Sequence, residues 1–152
     1  MGRFSTNRGG KIMKTIKYRA WLKEQKEMVE VAEISFENET IAYVYDNYAA
    51  EEQEWNVYDF EEIELMQYAG LKDKNGVEIY EGDYIRFTDF DSNQGYEGEV
   101  AFKGGAFCML HKIEGAKRSV IMATMLDVDG YIEVIGNIYE NKELLEKKES
   151  GK

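Results

Sequence analysis

The stretch Leu65–Phe87, LMQYAGLKDKNGVEIYEGDYIRF, decides how the chain is read. Asn75-Gly76 inside it is the strongest short-range hairpin signal, because both central residues of a type I′ turn need positive φ. Ile85 and Phe87 follow the turn residues Gly82-Asp83 with the period-two spacing of a half-buried strand. Toward the C-terminus the pattern repeats. An Asp-, Asn- and Gly-rich loop covers Asp89–Gly98, Val100 and Phe102 form the next run, and Gly104-Gly105 turns it into Phe107 and Met109. Glu114-Gly115 precedes Val120–Leu126, and Asp129-Gly130 precedes Tyr131–Ile138. Short strands with turns every 8–12 residues or so predict a small barrel or sandwich over residues 70–140.

The long loop after the first of these strands points to an SH3-like arrangement. Toward the N-terminus, Ile16, Tyr18 and Ala20 alternate with Thr15, Lys17 and Arg19. Val29 and Val31 alternate with Met28 and Glu30, and the phase slips at Ile34 and Phe36, which predicts a bulge. Ile41, Tyr43 and Tyr45 form a run after a Glu37–Thr40 turn, followed by Trp55 with Val57 and by Ile63 with Leu65. Glu51–Glu54 reads as a loop or a short helix. Residues 13–69 are therefore expected to be an irregular antiparallel β region. Only residues 141–152 look helical, with Asn141 as cap, Leu144 and Leu145 inside, and Lys147 and Lys148 suiting the C-terminal end. The fold class is mainly β.

The 152 residues carry 30 acidic and 19 basic side chains, a formal charge of −11. Residues 1–13 hold Arg3, Arg8 and Lys11 and no acid. They lack the apolar core of a signal peptide and are expected to be a poorly ordered leader, residues 1–12, ahead of Met13. From Glu27 to Leu71 there are 13 acids and no Lys or Arg. A phosphate backbone is repelled by such a stretch, so nucleic acid is an unfavoured partner there. With no run of about 18 apolar residues there is no transmembrane helix, and a cytoplasmic location is expected. One cysteine and no proline exclude an internal disulfide framework and Pro-rich linkers.

Three segments resemble the YopX family of phage and prophage proteins: Ile16-Lys17-Tyr18-Arg19-Ala20-Trp21, the block Leu65–Phe87, and Val134–Leu145, VIGNIYENKELL. The likeness runs from Met13 to about Glu149, with Ala69 and Lys142 departing where Thr and Pro are expected. The resemblance implies a mostly β protein with an SH3-like barrel in its second half, and homo-oligomers. It implies no activity and brings no catalytic residues.

The residues themselves supply no strong site. Cys108 and His111, the sole cysteine and histidine, stand three apart on a strand and point to opposite faces, a poor thiol–imidazole dyad. They make one incomplete pair of metal ligands. Asp89–Gly95 starts like a calcium loop, but its glycine is seventh rather than sixth and Val100 stands where a bidentate Glu is needed. Glu61, Glu62 and Glu64, or Glu97 and Glu99, are close carboxylates of the kind this composition produces without catalysis. Gly104-Gly105 lacks the context of a phosphate loop. Asn38-Glu39-Thr40 is a glycosylation sequon without a secretion signal. Lys72, Lys74 and Arg86 with Tyr80 and Tyr84 are the candidate basic-aromatic patch. No catalytic residue, cofactor or metal site is assigned.

The reading that results is a non-enzymatic phage or prophage accessory protein acting through protein contacts as a homo-oligomer, with an unidentified host or phage protein as a further partner. The alternative is a nucleic-acid-binding regulator using the barrel. Ile41–Tyr45 is the candidate exposed edge, and Tyr43, Tyr45, Tyr48, Trp55 and Tyr58 exceed what the N-terminal half hides in its own core. Self-association is expected to cover them, with the acids at the rim.

Overall fold

The computed structural model describes residues 14–47, 52–91, 93–113, 116–122 and 130–143. Among these the chain is mainly β, and it divides into two compact units, one spanning Ile16–Gln67 and the other running on from Tyr68.

In the first unit, β1 (Tyr18–Leu22) pairs antiparallel with β2 (Glu27–Glu30), and its other edge takes Ile63–Gln67 of β6 (Ile63–Lys72). The tight β1–β2 connection places Lys26 at φ 56° with its N–H on Leu22 O. A separate meander joins β3 (Glu33–Ser35), β4 (Thr40–Asn47) and β5 (Glu52–Asp59). Ala20 and Leu22 are fully buried, and with Val29, Ile63 and Ile41 they form one core drawn from both sheets. The alternation read through Ile16, Tyr18 and Ala20 thus holds only within the strand; Ile16 precedes β1 and is exposed.

Two expectations fail here and a third holds only in part. The slip at Ile34 is not a bulge: β2 and β3 belong to different sheets, and Ala32 donates its N–H to Ala42 O where the chain crosses over. Residues 52–54 are strand rather than loop or helix, because each is paired in register against β4. Ile41–Tyr45 is an edge only in part: β3 pairs with Thr40–Ala42, while Tyr43–Tyr45 pair with β5 alone among the described strands, and β5 is an edge along its whole length.

In the second unit, β7 (Glu78–Tyr80) pairs with the end of β6. β8 (Asp83–Asp89), β9 (Gly95–Lys103), β10 (Ala106–Ile113), β11 (Ala116–Ile121) and β12 (Gly130–Asn137) form a curled half-barrel sheet in the order β11-β10-β9-β8-β12. Ile79, Ile85, Phe87, Val100, Met109, Met122 and Ile132 make its core, the period-two apolar set facing inward.

Gly104 and Gly105, at φ 64° and 83°, are the two-residue turn joining β9 to β10, as type I′ geometry requires. Asn75-Gly76 is different. Only Gly76 has positive φ, and it sits in a longer loop between the paired residues Lys72 and Glu78. Asp73 organises that loop, accepting the N–H groups of Asn75 at 2.8 Å and Val77 at 2.9 Å. Of the expected C-terminal helix only residues 141–143 are described, and the side-chain oxygen of Asn141, the expected cap, accepts the N–H of the preceding Asn137 at 3.1 Å. Leu144, Leu145, Lys147 and Lys148 lie outside the described residues, as do residues 1–12 and Tyr48.

Candidate functional site

Each sequence-derived candidate has a structural task. Cys108 is buried, and its Sγ lies 3.7 Å from Lys103 O and 3.6 Å from Ala106 O at the base of the Gly104-Gly105 turn. His111 instead bonds Glu97 O through Nδ1 at 2.9 Å and meets Tyr96 edge-on at 5.5 Å. The two form no dyad. Asp89 accepts the N–H of Asp91 and donates its own to Gln94 O, so this loop closes on its own backbone as a polar turn. Among the described residues no group of three or more His, Cys, Asp or Glu is placed to hold a metal. Asn38 lies exposed in the β3–β4 turn, its N–H on Ser35 Oγ.

Of the close carboxylates, Glu62, Glu64 and Glu97 are likewise engaged. Glu62 accepts the N–H of Asp59 at 2.9 Å, bracing the 3-10 turn Phe60–Glu62, while Lys23 pairs with Glu64 at 3.2 Å. Glu97 Oε1 receives both Nε and Nη2 of Arg86, at 2.8 and 2.6 Å. That contact holds the guanidinium above even its usual high pKa.

The basic-aromatic patch does not assemble. Lys72 lies 3.9 Å from Glu78, Lys74 3.2 Å from Glu133, and Arg86 is bound by Glu97. Tyr80 and Tyr84 are buried, so neither offers a ring face for a base to stack on. The exposed ring of this region is Phe90, 5.6 Å from Tyr131, over which Lys74 sits at 4.5 Å. The sequence did not single these out.

Among the described residues the meander exposes Trp55 and Val57 on one face and, at the end of the other, Tyr45. Residues directly opposite in an antiparallel pair share a face. Ile41 faces Tyr58 and Tyr43 faces Asn56 on one side; Ala42 faces Val57 and Val44 faces Trp55 on the other. The first side supplies buried Ile41 and the stacked rings of Tyr43 and Tyr58, 6.0 Å apart. On the second, Trp55 is 58% and Val57 62% exposed. The aromatics grouped together in the sequence are therefore split between two faces. Strand periodicity separates Trp55 from Tyr58, but it does not tell which face is inside.

The family profile described as YopX protein matches residues 17–146. The chain belongs to the YopX family. Solved structures resemble it, among them two proteins of bacterial origin. One is protein EF1440 from Enterococcus faecalis, at 30% identity and TM-score 0.54, covering 86% of this chain and 98% of that one. The other is protein yopX from Bacillus subtilis, at 23% identity and TM-score 0.57, covering 87% of this chain and 98% of that one, a likeness of fold alone. No curated protein matches the chain. The YopX assignment fits the mainly β architecture and adds no catalytic residues to the site.

Proposed function

We propose that this YopX-family protein is a non-enzymatic phage or prophage accessory factor that works in the bacterial cytoplasm through protein–protein contacts, as a homo-oligomer. The observation that carries this reading is the side-by-side exposure of Trp55 and Val57 on the outer face of the meander. A large indole left in water beside a second apolar side chain marks an interaction surface, and aromatic residues are enriched in such contacts. In this reading the curled sheet of residues 70–140 is an SH3-like barrel acting as scaffold, and a short helix follows at residues 141–152. The role of nucleic-acid regulator is set aside, because Lys72, Lys74 and Arg86 are each paired with a carboxylate.

Thirteen acids between Glu27 and Leu71 oppose association of like copies. Salt screens that repulsion over about 8 Å at physiological strength, so the assembly should tighten as salt rises. Light scattering across a salt series tests the reading. A mass at a multiple of 17.6 kDa, growing with salt, supports it. A monomer mass at low and high salt alike, at high protein concentration, overturns it.

A further inference from the structure

We infer that β5 pairs antiparallel with β5 of a second copy, about a two-fold axis through Asn56; the inference rests on the self-association proposed above. Among the described strands β5 has a neighbour on one side only, β4. Its backbone says which groups face the other side. Phe60 donates its N–H to Glu39 O at 2.8 Å, and Ala42 turns its carbonyl toward β3, where Ala32 donates to it. Backbone groups alternate in direction along an antiparallel ladder. Ile41, Tyr43 and Tyr45 therefore face Tyr58, Asn56 and Glu54 across the β4–β5 ladder, and Trp55 and Val57 turn their N–H and C=O groups to the free edge.

Side-chain pattern then selects the register. A two-fold axis normal to the sheet keeps each face on its own side, so only registers stepping by whole residue pairs are available. Centred on Asn56, the pairing sets Trp55 opposite Val57 of the second copy and Val57 opposite its Trp55. These are the residues whose backbone groups are free to bond, each pair exchanging both of its hydrogen bonds. Glu54 then lies opposite Tyr58, and Gln53 opposite Asp59, so no acid meets an acid. Centred on Trp55, Val57 falls opposite Gln53; centred on Val57, Trp55 falls opposite Asp59. In the Asn56 register alone of these three do both apolar residues find apolar partners. Val44 and Trp55 of one copy run on into Val57 and Ala42 of the other, a continuous apolar band across the junction. Such an isologous contact closes on itself as a dimer.

Disulfide trapping tests the register. At Asn56 the two copies meet as a non-hydrogen-bonded pair, with Cα atoms roughly 4.5 Å apart, at the short end of the range a disulfide spans. In a Cys108→Ala background, Asn56→Cys should oxidise to a linked dimer about tenfold faster than Phe36→Cys, a more exposed collision control, as expected for thiols held at high effective concentration. Val57→Pro provides a second readout. Proline is tolerated on an edge strand whose N–H faces solvent, so this variant should keep the β circular-dichroism spectrum and lose the dimer. An oligomeric protein in which Asn56→Cys links no faster than Phe36→Cys, or in which folded Val57→Pro remains dimeric, overturns the β5 pairing and leaves self-association standing. A wild-type protein that is monomeric at every salt concentration overturns both.

Discussion

Asp73 accepts the backbone N–H of Val134, 61 positions later, at 3.0 Å through Oδ2. Its Oδ1 takes the N–H groups of Asn75 and Val77, so one buried carboxylate closes a loop and fixes that loop to β12. Val134 is where the β12 register shifts before Gly136, so its N–H is satisfied at an irregular point of the ladder. Asp73→Ala leaves three donors without this acceptor. Asn75 and Val77 are exposed, so water can reach their N–H groups, whereas the Val134 N–H is part-buried, and a buried donor left unpaired costs about 1–3 kcal/mol. A loss of about 2–4 kcal/mol is expected in urea unfolding. Asp73→Asn should cost about 1–3 kcal/mol, since its amide turns at least one donor toward an N–H. An alanine variant within about 1 kcal/mol of wild type contradicts this role.

Much of the fold was legible because apolar residues two apart mark strands wherever a core has two sides. Ala20 with Leu22 and Ile85 with Phe87 are buried as that pattern demands. Gly104-Gly105 was legible because only a tight turn asks for two positive φ values. At Asn75-Gly76 the hairpin is present, with β6 and β7 antiparallel across it, but the turn is not type I′, since Asp73 stabilises a wider loop with hydrogen bonds that no dipeptide encodes. Strand order was not legible: Ile41–Tyr45 has the composition of an edge, yet Ile41 and Ala42 lie between two strands while Tyr43–Tyr45 pair with β5 alone among the described strands. Period two gives the spacing of a face and leaves its direction open, which is why Trp55 and Tyr58 could not be told apart as outside and inside. The basic-aromatic patch failed for a similar reason, because Glu78, Glu97 and Glu133 are brought to its cations by strand register.

Gly98 separates a crowding requirement from a turn requirement. A Cβ there would overlap the backbone oxygen of Leu110 and stand 2.7 Å from Met109 Cγ, in the middle of the curled sheet. Gly104 has open space around it and needs glycine only for its φ of 64°. Gly98→Ala should therefore destabilise by about 3 kcal/mol or more, and Gly104→Ala by about 1 kcal/mol. Thermal melts of the two variants give the order; the reverse order contradicts it.

Tyr43 carries a pH signature. Burial raises its pKa, and the nearby Tyr58, the Glu27 carboxylate and Tyr45 raise it further. The unfolded tyrosine ionises near about pH 10. Above that value the unfolded chain releases a proton that the folded chain keeps, so stability falls as pH rises through and beyond it. Urea midpoints measured between about pH 8 and 11 should decline, and Tyr43→Phe should remove part of that decline. An identical slope in the variant contradicts the assignment.

Duplex DNA should bind no better than non-specifically, because the cations Lys72, Lys74 and Arg86 are each paired with a carboxylate. The acidic stretch from Glu27 to Leu71 adds repulsion. A gel shift at about 150 mM salt reads this; sub-micromolar affinity, tighter than ordinary non-specific binding, contradicts it.

The exposed meander face is the centre of the account, and a single charge placed on it is the most direct probe. Trp55 is largely in water in the folded chain, so Trp55→Glu should leave the unfolding transition of the chain intact while setting a carboxylate into the proposed contact. Sedimentation of the two proteins side by side at high salt decides the matter. The expected wild-type mass is a multiple of 17.6 kDa and the expected Trp55→Glu mass is 17.6 kDa. Equal masses for the two proteins, whether both monomeric or both assembled, would contradict it.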